Sequence, residues 1–289
     1  MHNAGPRHNA HMPTDARAPA PTEAPATAPI AGQAMASTAS LVAGRAPSAP
    51  AAGAAPALRG ISSMATRHIL AELGALWSAR SGVPVQMESV GGVDAERRVA
   101  AGERFDLVFL ARDAIDRLLA QGCVTGPRVD VFSADMVAAV PAGAPAPRID
   151  TLEALQRALL AAERIGYSTG PSGTALLALF ERWGLMERLR DRLVQARAGV
   201  PVAQLVAQGA VSLGFQQRSE MLGAPGIVLL PPLPAEAAIR TVFSAAYGHV
   251  GEENGPAPSS SGASLLSFLM SEEADPIIRR HGMARVASS

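Results

Sequence analysis

Gly60-Ile61-Ser62-Ser63-Met64-Ala65-Thr66 passes from a short apolar stretch into a turn of small and hydroxyl residues, and then into a helix whose apolar stripe is Ile69, Leu73, Leu76 and Trp77. The same passage recurs at Val90-Gly91-Gly92-Val93-Asp94 and at Tyr167-Ser168-Thr169-Gly170-Pro171-Ser172-Gly173-Thr174. The first turn of a helix carries unpaired backbone N–H groups and the positive end of the helix dipole; hydroxyls add donors, and glycines let an oxyanion come close. One such turn is ordinary capping. Three of them predict a pocket for a small, multiply charged anion.

Outward from these turns, strand-like and helix-period segments alternate from residue 58 onward, the pattern of a parallel sheet covered by helices. Strands are expected over residues 58–61, 83–90, 105–110 and 137–140, and in a second set over 164–167, 193–196, 211–215, 227–230 and 241–246. Pro- and Gly-rich crossings near 135–141 and 236–241 divide the chain into two lobes around a cleft: 58–134 with 240–289, and 135–239. Ligands of such sheets collect at the carboxyl ends of the strands, where the three turns lie.

Composition narrows the function. The chain of 289 residues has 48% hydrophobic content and balances 25 acidic against 25 basic residues, so no global charge favours nucleic acid. Every basic residue is Arg. That excludes a Schiff-base lysine and a lysine-dependent phosphate loop, and leaves Arg as the cation for any ligand. Cys123 is single, and His68, His249 and His281 are scattered, so neither a disulfide nor a metal site is expected. No cofactor motif stands between a strand and a helix. Residues 1–57, rich in Ala and Pro, read as a disordered tail; Pro21, Pro25 and Pro29 interrupt any leader-like apolar run.

Gly60-Ile61-Ser62-Ser63-Met64-Ala65, Glu88-Ser89-Val90-Gly91-Gly92-Val93, Phe105-Asp106-Leu107-Val108, Gly166 through Gly173 and Leu213-Gly214-Phe215-Gln216-Gln217 together resemble the type II periplasmic binding proteins, in the branch similar to molybdate-binding proteins. The resemblance covers about residues 58–286. It implies a two-lobed α/β fold with two crossing strands and a central ligand cleft, capture of a small oxyanion or organic polycarboxylate by a monomer, and delivery to the permease of an ABC-type importer. It implies a periplasmic location; without a visible leader, a cytoplasmic ligand sensor is the alternative. Carried over by position, it puts Ser62, Ser63, Gly91, Gly92, Gly170, Ser172 and Gly173 at the anion-binding turns, with a backbone amide from Val200 and side chains from Gln216 and Gln217. Gln217 stands where molybdate binders present a tyrosine, and glycines replace a hydroxyl cluster in the second turn, which fits an organic polycarboxylate at least as well as molybdate. Arg112, just past a strand's carboxyl end, is the best placed arginine.

The same branch is similar to periplasmic aconitate isomerases, whose reaction needs an acid or base of suitable pKa. The candidates are His68, Glu88 and Glu220, each of which also reads as an ordinary surface or capping residue. Gly166-Tyr167-Ser168-Thr169-Gly170 has the G-x-S-x-G spacing of a hydrolase nucleophile elbow, but the turn continues through Pro171-Ser172-Gly173 and no triad context accompanies it.

Overall fold

The computed structural model describes residues 56–248 and 259–286. The tail read over residues 1–57, the leader assessment and His249 lie outside them, apart from residues 56 and 57. In lobe 1 the chain runs β1 (Leu58–Ser63), a 3-10 turn (Met64–Thr66), α1 (Arg67–Ser81), β2 (Val85–Val90), α2 (Gly92–Ala100), β3 (Leu107–Ala111), α3 (Arg112–Ala120) and β4 (Val124–Pro141). Lobe 2 follows with α4 (Leu152–Ala161), β5 (Ile165–Tyr167), α5 (Pro171–Arg182), α6 (Met186–Leu189), β6 (Leu193–Gln195), α7 (Val202–Ala207), β7 (Leu213–Gln217), α8 (Arg218–Met221) and β8 (Ile227–Leu229). The chain returns through β9 (Arg240–Gly248), then α9 (Ser260–Leu269), α10 (Asp275–Arg280) and β10 (Ala284–Arg285).

β4 joins the lobes. Its first part pairs antiparallel with β9, from Val124 opposite Gly248 to Asp135 opposite Arg240. Its last part pairs with β7, from Met136 opposite Gln217 to Ala139 opposite Gly214, and with β8. The switch falls between Asp135 and Met136, and Met136 N–H reaches back to Ile239 O at 2.8 Å, beside the start of β9. The strand order is β2-β1-β3-β9-β4-β7-β5-β6, with β1 parallel to β2 and β3, and β5 parallel to β6 and β7. The strand expected at 137–140 is therefore the end of an 18-residue strand that begins at Val124.

Both faces of each half-sheet are covered, as parallel strands require. In lobe 1, Leu73, Trp77, Phe109, Phe132 and Leu266 pack on one face, and Ile61, Val108, Ile115 and Leu118 on the other. In lobe 2 the two cores centre on Phe180, Leu189 and Phe215, and on Val202, Val206 and Met221. β3 and β7 are buried throughout, β7 with two glutamines, Gln216 and Gln217, at its end. Helix α1 keeps Ile69, Leu70, Leu73 and Trp77 inward and ends at Gly82, whose φ of 72° supplies the left-handed cap. No helix among the described residues is long and apolar enough to cross a membrane.

Phe132 is fully buried on the crossing strand, opposite Phe243. Phe132→Ala should cost about 3–5 kcal/mol in urea unfolding, the range for a buried aromatic truncated to Ala. A cost under about 1 kcal/mol would mean that the crossing region can collapse around the loss.

Candidate functional site

The carboxyl ends of β1, β2, β3, β5 and β7 converge on one cleft of ≈ 510 Å³ between the lobes. Ser63 and Met64 come from the first sequence turn, Gly91, Gly92 and Val93 from the second, and Ser168 through Ser172 from the third. Gln216, Gln217 and Glu220 close lobe 2's side, while Thr241 and Phe243 line it from β9.

Side-chain capping is the exception among the described helices, and the starts around this cleft follow the majority. Ser63, Gly91 and Gly170 are the N-cap residues of the 64–66 turn, α2 and α5, and none of them caps with its side chain. By contrast, Thr151 accepts from Ala154 N–H at the start of α4, and Ser259 from Gly262 N–H at the start of α9. The N–H groups facing the cleft are thus left without a side-chain acceptor, and their dipoles point into a shared space. Two arginines line the cleft. Arg117 is held by both oxygens of Glu96, at 2.7 and 2.8 Å, and Arg197 is exposed. Backbone amides at the helix starts and the Arg197 guanidinium are the positive groups at the cleft.

Two polar side-chain atoms on the cleft are buried without a protein partner, Ser63 Oγ and Gln217 Oε1. Gln217 Nε2 reaches Thr241 Oγ1 at 2.5 Å; turning the amide over lets Thr241 donate instead and presents Nε2 as the free group. Ser172 Oγ and Ser168 Oγ are 3.1 Å apart.

Not every sequence candidate reaches this space. Ser62 is fully buried behind the turn, its hydroxyl 2.7 Å from Ser89 Oγ on the neighbouring strand. Gly173 is buried in the first turn of α5 and shapes it from within: a Cβ there would lie 1.9 Å from Ser168 O. Val200 lines the cleft, but its N–H already donates to Arg197 O at 3.0 Å. Arg112 turns away and bonds Asp130 Oδ2 at 2.6 Å, outside the cleft. Glu88 is also elsewhere, gripped by Arg98, whose hydrogen bonds hold its carboxyl below the usual range. His68 lies on an outer groove, its pKa lowered by burial and by Arg67 and His281. No histidine among the described residues lines the cleft, so Ser168 has no base beside it there.

Glu220 departs most from its reading as a capping acid. It lines the cleft, is partly buried, and accepts from Gln216 Nε2 at 2.7 Å. Burial pushes its pKa up to about 7 against the opposing influence of Gln216 and Arg67. Thr241, Phe243 and Ser168 are further cleft residues that the carried-over positions do not include.

The family described as bacterial extracellular solute-binding protein matches residues 58–284. An aconitate isomerase from Pseudomonas sp. is 34% identical over 193 residues, covering 65% of this chain and 71% of that protein. Among solved structures, the periplasmic molybdate-binding protein of Azotobacter vinelandii superposes with a TM-score of 0.64 at 19% identity, covering 80% of this chain and 100% of that one. The sulfate-binding protein SubI from Mycobacterium tuberculosis H37Rv gives 0.62 at 15% identity, over 80% and 88%. At these identities the structural matches establish the two-lobed fold.

Gly173→Ala forces the Ser168 carbonyl out of place, whereas a Cβ at Gly170 meets nothing within 4 Å. Gly173→Ala should lower stability by about 1–3 kcal/mol in denaturant, and Gly170→Ala by much less. Equal midpoints for the two variants would show that the turn has slack.

Proposed function

The chain belongs to the bacterial extracellular solute-binding proteins, and on that premise we propose that its cleft captures a small organic polycarboxylate or comparable oxyanion outside the cytoplasm, for delivery to an ABC-type importer. The observation that carries this reading is the set of three helix starts aimed at one cleft, none capped by its own side chain. An anion bound there would take the place of the missing caps. Ser63, Gly91, Gly92, Gly170, Ser172 and Gln217 are the proposed contacts, with Gly173 holding the third turn in shape and Glu220 in the floor.

Two features favour an organic acid over a tetrahedral oxyanion. The cleft is much larger than a single four-oxygen ion needs, and Val93, Leu110, Ala178 and Phe243 give it apolar wall against which a carbon skeleton can pack. Gln217 and Thr241 add neutral polar groups that fit carboxylate and hydroxyl oxygens alike.

A second reading, an isomerase of unsaturated tricarboxylates, is favoured by Glu220. Moving a proton along an allylic acid needs a group that gains and loses protons near working pH, and Glu220 has that property inside the cleft. The aconitate isomerase relative supports the same chemistry.

Calorimetric titration with citrate, cis-aconitate, trans-aconitate, molybdate, tungstate and sulfate tests the first reading, and chromatography of the aconitate mixtures tests the second. The expected result is tighter binding of an organic acid than of any inorganic oxyanion, with the isomers unchanged. Nanomolar molybdate binding would contradict the organic-acid assignment. Interconversion of the aconitates that disappears in Glu220→Gln would establish the enzyme in place of the receptor.

A further inference from the structure

Glu220 stands between two cavities. Its side chain lines the interlobe cleft and also an open groove on the outer side, where Arg67, His68, Ser219, Arg280 and His281 lie; Pro201 is the other residue common to both. One of its oxygens is tied down. Val202 N–H donates to Gln216 Oε1 at 2.7 Å, which fixes the amide and leaves Gln216 Nε2 to donate to Glu220 Oε1 at 2.7 Å. Oε2 accepts no hydrogen bond from the described residues.

The surroundings supply no direct counter-ion. β7, α7 and the 64–66 turn, all packed against α8, bring no titratable side chain. On β4, also packed there, Arg128 and Asp130 pair with each other, with Asp116 and with Arg112, while Asp135 pairs with Arg240. From α1, Arg67 acts on Glu220 without a hydrogen bond to it. In the outer groove, Arg280 and His281 are both engaged by Glu72. On the cleft side Glu96 is paired with Arg117, and Asp113, Arg197 and α8's own Arg218 are exposed. An ionised Glu220 would therefore face a bound anion with only Arg67 and the helix-start amides to offset the repulsion.

We propose that Glu220 is the specificity residue of the cleft: an anion is held there together with one proton, carried on Glu220 Oε2 and donated to a ligand oxygen. This inference rests on the anion-binding reading above. The proton comes from solvent, remains on the carboxyl group while the ligand is bound, and returns to solvent on release, so no covalent change is involved. The outer groove gives Glu220 a solvent-facing side even when the cleft is filled. Ligands with an acceptor oxygen at that position are retained, and those presenting a donor or a bare carbon there are not.

The sign follows from charge. A bound anion raises the pKa of the carboxyl group above its free value of about 7, so in that range the complex holds more protons than the free protein and affinity falls as pH rises. The fall is about tenfold per pH unit, from the free pKa up to that of the complex.

Titration of trans-aconitate, fully ionised above neutral pH, in two buffers of different ionisation enthalpy counts the proton. Wild-type protein should take up about one proton per ligand near pH 8, and Glu220→Gln, a neutral isostere of the protonated acid, should take up none and bind with pH-independent affinity. Glu220→Gln should also bind more tightly than wild type well above pH 7. Binding by wild type without proton uptake and without pH dependence would overturn this inference and leave the binding reading intact. Failure of trans-aconitate, citrate and sulfate to bind at any pH would overturn both. Should Glu220→Gln not fold, the wild-type proton count alone decides.

Discussion

The site depends on backbone N–H groups at the starts of the 64–66 turn, α2 and α5 that no side chain of their own N-cap residue satisfies. Uncapped helix starts are unfavourable where they meet nothing; α4 and α9 are capped by a hydroxyl, while α6 and α10, like the cleft helices, are not. Three such starts on one cleft are the groups proposed to attract an anion without a lysine. The arrangement also explains the small residues there. Gly91, Gly92 and Gly170 leave the space open, and Gly173 admits the Ser168 carbonyl where a methyl group would collide.

What brings these donors together is β4. Lobe 1 contributes two turns and lobe 2 the third, and the lobes share a strand that changes partners between Asp135 and Met136. The crossing at Ile239–Arg240 lies beside it. A ligand touching both lobes favours the arrangement in which all three turns face it, through its differential affinity for that state. On the proposed reading Glu220 sets the opposing condition, because once ionised it would work against the amides proposed to hold the anion.

Much of this was legible in the residues. Alternating periods gave the α/β class, and small-residue turns after strands located the cleft. The length of β4 was not legible, because the expected strand covered only residues 137–140 and the stretch from Val124 carries Gly126-Pro127. In the structure these residues occupy an irregularity between Thr125 and Val129 where the pairing register shifts, and Gly126 has a φ of 81°. Ser62 was assigned to the turn with Ser63, yet neighbouring residues of a strand face opposite sides, and Ser62 faces Ser89 in register on β2. Arg112 and Glu88 lie outside the cleft because Asp130 and Arg98 engage them, and that pairing is a tertiary fact. The burial of Glu220 likewise arises where α7, β7, β4 and the 64–66 turn meet, and no local pattern announces it.

The most direct test of the account is amide hydrogen exchange with and without saturating organic acid, read at single-residue resolution. The amides that begin the three helical segments, at Met64–Thr66, Gly92–Asp94 and Ser172–Gly173, should slow together on binding, while those of α4 and α9, already capped by Thr151 and Ser259, should not respond. Tight binding that leaves all three groups of amides unchanged would contradict the claim that uncapped helix starts hold the ligand.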